Sequence, residues 1–282
     1  MKEYINYDLY KNNTMRLHCV ASYLYEPESN EELHQLVQKL RSSNENFKIL
    51  GGGSNILMPE HVEKVISLRS IETDTFVEGN IVKAGASISI QKLIRTCQDH
   101  SLGGLEFLFT LPCQLGGAIY MNAGRGGQKS VSISDFVKNV TYMDSSTGVI
   151  HTISKEECLF AHRHSIFQGK NWIILSAELE LEDKDPDIVH KDINGRLERS
   201  KKYLDSGKPS CGSVFCQYNS RIMSFLKGIR IGNAQYSNKT RNWISNNGNA
   251  TYHDVLKLIR LAVFLHRLTF QKYEIEIIIW KQ

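Results

Sequence analysis

The chain has 282 residues, 34 Lys and Arg against 30 Asp and Glu, a net charge of +4, and 41% hydrophobic and 23% charged residues. That is enough chain for two or three packed domains, with the composition of an ordinary soluble enzyme. The positive surplus is too mild to point to nucleic acid, but it suits an anionic substrate. No apolar run reaches the length of a membrane span, and Met1–Leu17 is polar, so neither a signal peptide nor a membrane partner is expected. The six cysteines, Cys19, Cys97, Cys113, Cys158, Cys211 and Cys216, include no CxxC pair. Their spacing argues against zinc and for free thiols in a reducing, cytoplasmic setting.

In chain order, Met1–Ser22 is mixed and reads as an entry arm along the surface. Ser29 and Glu32 form a capping-box pattern ahead of Leu33, Leu36, Val37 and Leu40, which recur at helical spacing. Phe47–Leu50 reads as a short strand, and a further strand is expected near Val65–Leu68. A second unit starts near Thr75, with a strand over Ile81–Lys83 that ends in Gly85. Ser89 caps a helix carrying Leu93, Ile94 and Cys97 on one face, and Gly103 is expected to end it. Phe136–Met143 and Val149–Ile153 form a hairpin around Ser145–Gly148. In Trp172–Glu182, Ala177, Leu179 and Leu181 alternate with Glu178, Glu180 and Glu182, the mark of a strand with one wet face.

Asp183–Asp187 is an acidic linker and the best boundary candidate, followed by a charged helix over His190–Leu204. A third unit begins near Asp205. Thr251–Asp254 opens a helix rich in Val255, Leu256, Ile259, Ala262 and Val263. The chain closes on a strand over Tyr273–Trp280, with Glu274 and Glu276 sharing one face.

Two glycine-rich stretches organise the rest. Gly51, Gly52 and Gly53 follow an apolar strand and lead into Ser54 and Asn55. Gly103–Gly127 contains Gly116, Gly117 and Ala118, then Asn122, Ala123 and Gly124. Bare backbone N–H groups at such positions form nests for a flat or anionic group. Alone, each reads equally well as an ordinary glycine turn; two in one chain favour a dinucleotide.

Together the motifs resemble the UDP-N-acetylenolpyruvoylglucosamine reductase family, in its shorter form. The resemblance rests on LGGGSN at Leu50–Asn55 and on the GLEF…P…GGA…MNAG run at Gly104–Gly124. It also rests on Phe160–Ser165, on PSCGSVF at Pro209–Phe215, on the stretch from Gly232 to Ala250, and on Glu274–Ile277. It implies an α+β protein with a vanillyl-alcohol-oxidase-type FAD-binding fold. Residues 1–70 and 71–187 would be the two flavin subdomains and 188–282 a C-terminal α+β substrate domain. It implies noncovalent FAD, NADPH as co-substrate, and a UDP-sugar enolpyruvyl ether as substrate. It also implies a cytoplasmic monomer serving peptidoglycan synthesis, cell shape and cell division, with no nucleic-acid partner.

Residue by residue, the resemblance implies flavin contacts at Gly51, Gly52, Gly53, Ser54, Asn55, Gly116, Gly117, Ala118, Asn122 and Gly124. It implies Ser213 as proton donor, Arg163 as stabiliser of the substrate carboxylate and the enolate-like charge, and Glu276 as the group at the substrate end. By residue type alone, Ser213 is a turn serine, Arg163 a surface arginine and Glu276 part of a solvated face. His162 and His164 flank Arg163, but a lone HxH lacks a third metal ligand. The chain departs from the family pattern at Cys113, His162, Cys216, Asn233 and Ile278. These changes leave open a paralogue acting on another sugar nucleotide or keeping only flavin binding.

Overall fold

The structure is a computed structural model describing residues 1–71, 74–125, 130–205 and 207–281. Gly126 and Gly127, at the end of the second glycine stretch, lie outside the described residues. Two compact units are distinguished. The first comprises Met1–Tyr4, Tyr23–Gly52 and Lys64–Leu197; the second comprises Ile5–Ser22, Gly53–Glu63 and Glu198–Gln282.

Near the N-terminus a four-stranded sheet takes the order Lys2–Asp8, Val20–Glu26, His61–Ser67, Lys48–Leu50, its last two strands parallel. Helix α1, Asn30–Ser42, starts at Ser29, whose hydroxyl accepts the Glu32 N–H. The return half of the capping box is absent. The Glu32 carboxylate accepts instead from the Glu28 N–H and the Met1 ammonium. Leu33, Leu36, Val37 and Leu40 are all buried, as their spacing requires, and join Ile66, Met143 and Ile173 in one cluster.

The N-terminal segment is not a surface arm. It supplies two strands of the sheet, and Leu9, Met15, Leu17, Cys19 and Ala21 are each at most 1% exposed. The segment lacks a hydrophobic period; the strand Lys2–Asp8 stays largely exposed, while Met15 and Leu17, between the strands, pack with Leu57, Val214 and Ile259.

The larger sheet of the first unit has five strands, all antiparallel. Their order is Ile150–Ser154, Val137–Asp144, Trp172–Glu180, Ile81–Gly85, Thr75–Glu78. Helix α2, Ile90–Asp99, capped by Ser89, buries Ile90, Leu93, Ile94 and Cys97 against it. Burial of each large aliphatic chain of this kind stabilises by about 1.5–3 kcal/mol. Gly103 does not end α2. The chain turns at Ser101, which takes a left-handed φ of 58°, and Gly103 pairs in a short strand with Glu182. The six-residue helix α3, Leu115–Tyr120, follows, packing Leu115, Ala118 and Ile119 into the same core. Asp183 still belongs to a strand, and Pro186 already opens α4, Pro186–Tyr203, so little of the acidic stretch is free linker.

In the second unit an antiparallel sheet takes the order Ser210–Ser213, Trp243–Asn246, Ala234–Tyr236, Arg230–Ile231. Helix α5, Ser220–Phe225, and helix α6, Tyr252–Leu268, complete it. A full capping box between Thr251 and Asp254 starts α6, which buries Val255, Leu258, Ile259 and Ala262. The expected strand over Tyr273–Trp280 is broken in two. Glu274–Ile275 pairs with Phe215–Gln217, and Ile278–Ile279 pairs in parallel with Ile56–Leu57. Two different partners redirect the chain between them, at Glu276–Ile277. Among the described residues no helix is long and apolar enough to cross a membrane.

Candidate active site

The glycines of the two stretches separate by what surrounds them. A Cβ on Gly116 would stand 2.9 Å from the Ala86 Cβ, and Gly116 N–H donates to the Ala86 carbonyl. A Cβ on Gly52 would meet the Pro112 carbonyl at 2.9 Å, and one on Gly51 the Gln114 side-chain oxygen at 3.2 Å. Gly53 has φ 64°, and a Cβ there would run into the Asn12 carbonyl. A Cβ on Gly124 would meet Ser132 Oγ and the Val131 carbonyl at 2.6 Å. Close packing therefore fixes Gly52, Gly53, Gly116 and Gly124, whereas Gly51 faces only the end of a flexible side chain. Ala118 is buried in the core.

Gly117 differs. It is exposed, its φ is not left-handed, and a Cβ would meet nothing within 4 Å. Its N–H, like those of Gly52, Gly53, Ser54 and Asn55, donates to no group among the described residues. Such undonated peptide N–H groups in glycine-rich turns fit the pyrophosphate of a dinucleotide cofactor.

Arg163 belongs to the first unit and occupies a tight turn in which Ala161 and His164 exchange two backbone hydrogen bonds of 3.1 Å. Its φ is 56°, a conformation that costs a non-glycine residue about 1–2 kcal/mol. Several anchors hold it there. The guanidinium donates to the Gly124 carbonyl at 2.7 Å and to the Asn122 carbonyl at 3.4 Å. The Asn122 amide donates to the Ala161 carbonyl at 2.8 Å, and Gln168 donates to the Arg163 carbonyl at 3.0 Å. Asn122, expected at the flavin from the motif, is 4% exposed and directs its side chain into this turn and toward the Ser134 N–H. The flanking His162 and His164 are exposed, and no cluster able to hold a metal occurs among the described residues.

Ser213 and Glu276 belong to the second unit, where the fold brings their segments together. Ser213 ends the strand Ser210–Ser213 and is half-buried. The next residue, Val214, accepts the Glu276 N–H at 2.8 Å through its carbonyl. Glu276 is half-buried, whereas Glu274 is exposed. Sequence periodicity treats the two carboxylates alike, and the break in the strand separates them. Asn55 bears on the same segment: its amide donates to the Glu276 carbonyl at 3.1 Å, and its own carbonyl accepts the Ile278 N–H at 3.0 Å.

The thiols flanking Ser213 stay protonated at neutral pH. Burial pushes Cys211 up to about 12 and Cys216 up to about 11, with Glu276 adding a little at Cys211 and Glu274, ahead of Glu276, at Cys216. Both cysteines are free.

One residue that sequence reasoning passed over is Asn242. It is 3% exposed, has φ 64°, and both ends of its amide bond the backbone of Phe215. The available signal was an asparagine just before a strand, too common to single out.

Residues 21–154 match the family model of the FAD binding domain, and residues 204–264 match that of the UDP-N-acetylenolpyruvoylglucosamine reductase C-terminal domain. The chain is 33% identical over 287 residues to the UDP-N-acetylenolpyruvoylglucosamine reductase of Caldanaerobacter subterraneus subsp. tengcongensis, covering 98% of this chain and 91% of that one. It is 32% identical over 289 residues to the enzyme of the same name from Francisella tularensis subsp. tularensis, covering 98% of each. Among solved structures, the UDP-N-acetylenolpyruvylglucosamine reductase of Thermus caldophilus superposes with a TM-score of 0.76 at 25% identity, over 99% of this chain and 98% of that chain.

Proposed function

The chain belongs to the UDP-N-acetylenolpyruvoylglucosamine reductase family, and on that premise we propose that it reduces the enolpyruvyl group of UDP-N-acetylglucosamine enolpyruvate with NADPH, giving UDP-N-acetylmuramate for peptidoglycan. Its fold is α+β, of the vanillyl-alcohol-oxidase flavin type, and it is an FAD-dependent oxidoreductase. The observation that best supports our assignment of roles is the joining of the Ser213 and Glu276 segments through the Val214 carbonyl.

The peptide N–H groups of Gly52 and Gly117, both in the first unit, would hold the pyrophosphate of FAD, and the packed glycines shape the turns that leave those N–H groups bare. When bound, FAD would supply the hydride chemistry that links NADPH to C3 of the enolpyruvyl ether. The protein must then stabilise negative charge spreading onto the substrate carboxylate and deliver a proton to C2. Arg163 supplies the fixed cation. Its left-handed turn and its anchors on the Asn122 and Gly124 carbonyls pre-set the guanidinium, and strain of this kind collects at functional sites. Ser213 Oγ–H supplies the proton, and Glu276, on the segment joined to Val214, acts at the substrate end.

Within this reading, residues 1–70 and 71–187 form the flavin subdomains and 188–282 the substrate domain. The protein works as a monomer in the cytoplasm, in support of wall growth, cell shape and division; its six free thiols accord with a reducing compartment. The test is turnover. Purified protein should be yellow, release FAD on denaturation, and turn over NADPH beyond one equivalent per flavin only when the enolpyruvyl sugar nucleotide is supplied. Yellow protein that never consumes this substrate would instead be a flavin-binding relative with another acceptor.

A further inference from the structure

The second unit contains a clamp that none of the expected site residues accounts for. Asn242 precedes the strand Trp243–Asn246 and is buried, in the left-handed conformation. Its side-chain oxygen accepts the Phe215 N–H at 2.9 Å, and its side-chain nitrogen donates to the Phe215 carbonyl at 2.7 Å. Its own carbonyl accepts the Val214 N–H at 2.9 Å. The amide thus takes the place of a peptide group opposite Phe215, and Val214 and Phe215 are held at three points by one residue.

What those points hold is the joint between the two roles assigned above. Val214 directly follows Ser213. On its other edge the Val214 carbonyl accepts the N–H groups of Glu276, at 2.8 Å, and Ile277, at 3.4 Å. Phe215 pairs with Ile275, immediately before Glu276. Strand register alone does not fix this stretch. The pairing of Ser210–Ser213 with Trp243–Asn246 slips between Ser210 and Ser213, and that of Phe215–Gln217 with Glu274–Ile275 slips after Phe215. Asn242 spans the gap between the two slips.

We infer that Asn242 is a positioning residue, fixing Ser213 and Glu276 relative to each other through Val214 and Phe215. The inference rests on the proton-donor role of Ser213. Residue type matters at two levels. Asparagine tolerates a left-handed φ better than other residues with a side chain, and only an amide offers a donor and an acceptor in the geometry of a peptide. Aspartate would keep the acceptor and turn a second oxygen toward the Phe215 carbonyl. Glycine would keep the backbone conformation and the bond from the Val214 N–H, and remove both side-chain bonds to Phe215.

The experiment compares Asn242→Gly, Asn242→Asp, Ser213→Ala and the double variant Asn242→Gly/Ser213→Ala as FAD-loaded proteins. Readouts are FAD content, thermal melting, flavin reduction by NADPH, and reoxidation by UDP-N-acetylglucosamine enolpyruvate in stopped flow. Asn242→Gly should retain FAD and reduce at the parent rate, yet reoxidise about 10- to 100-fold more slowly at saturating substrate, the cost of a small misplacement of a reacting group. Asn242→Asp should be at least as slow. In the Ser213→Ala background, Asn242→Gly should add less than about threefold, because residues acting as one unit are not additive.

Reoxidation of Asn242→Gly within twofold of the parent would overturn the inference while leaving Ser213 intact. Full additivity in the double variant would do the same, since Asn242 would then act apart from Ser213. Failure of both Asn242 variants to fold would make it a residue of stability and overturn the positioning role. If Ser213→Ala itself reoxidises like the parent, the reading of Ser213 falls first and this inference with it.

Discussion

Replacing Gly117 by alanine should push stability and cofactor affinity in opposite directions. Gly117 is the third residue of the short helix Leu115–Tyr120, it is exposed, and an added methyl meets no protein atom within 4 Å. Alanine inside a helix is favoured over glycine by about 0.5–1 kcal/mol, because less backbone freedom is lost on folding. The apoprotein should therefore melt about 1–3 °C higher. The same methyl would stand beside an N–H that has no partner among the described residues and that would receive a pyrophosphate oxygen. A hydrogen bond to a charged group is worth about 1.5–3 kcal/mol, so FAD should bind roughly 10- to 100-fold more weakly. Gly116→Ala is the control: its Cβ would press on Ala86, and overpacking of this kind costs about 1–3 kcal/mol. Fluorescence titration of the apoprotein with FAD, alongside apoprotein melting, reads both effects. A Gly117→Ala protein that melts higher and binds FAD as tightly as the parent would refute the placement of cofactor at this peptide.

Arg163→Ala and Arg163→Gly should both lose turnover, by on the order of 100- to 1,000-fold if the guanidinium stabilises transition-state charge. The glycine variant should be at least as stable as the alanine one, since the left-handed φ of 56° no longer carries a side chain; near-parent turnover in Arg163→Gly would remove Arg163 from the mechanism. Arg163→Lys should not fully restore activity, because the planar fork is lost. Glu276→Gln should lower kcat far more than Glu274→Gln, and equal mild losses from the two would show that neither carboxylate is catalytic. At the hairpin turn, the Ser146 hydroxyl and amide hold the Asp144 carboxyl below the usual carboxylate range. A depressed folded value means that the stabilisation is present above the unfolded pKa of about 3.9 and is lost as pH falls through the folded one. The melting difference between parent and Asp144→Asn should therefore be flat from neutral pH to about 5 and shrink below about 4; a gap that persists into acid would contradict this.

Local signals carried what they could. The Ser29, Ser89 and Thr251 caps, each followed by buried residues at helical spacing, marked α1, α2 and α6 because caps and periods are short-range features. The N-terminal segment was misread because Leu9, Met15, Leu17 and Cys19 have no period of their own and lie between the strands, Met15 and Leu17 being buried by distant residues such as Leu57, Val214 and Ile259. The alternation of Tyr273–Trp280 is continuous in the sequence, yet Phe215–Gln217 and Ile56–Leu57 divide it between them, and no local rule names a strand's partner. The glycine stretches were visible as a group. Which glycine is fixed by packing, such as Gly116, and which is open, such as Gly117, depends on Ala86, far away in the chain. The roles of Asn122 and Asn242 were illegible for the same reason: each amide bonds a backbone segment remote from it.

The most direct test is to run the two half-reactions separately with Ser213→Ala. The substitution removes one hydroxyl from a half-buried strand end, so fold and FAD binding should survive. NADPH should bleach the flavin at near the parent rate, since that step needs no proton at C2. Reoxidation by UDP-N-acetylglucosamine enolpyruvate should then slow by roughly two to four orders of magnitude, the usual worth of a positioned acid. Stopped-flow absorbance of the flavin records both steps. A slow second step beside a normal first one is the result expected if Ser213 delivers the proton; reoxidation at the parent rate would contradict it.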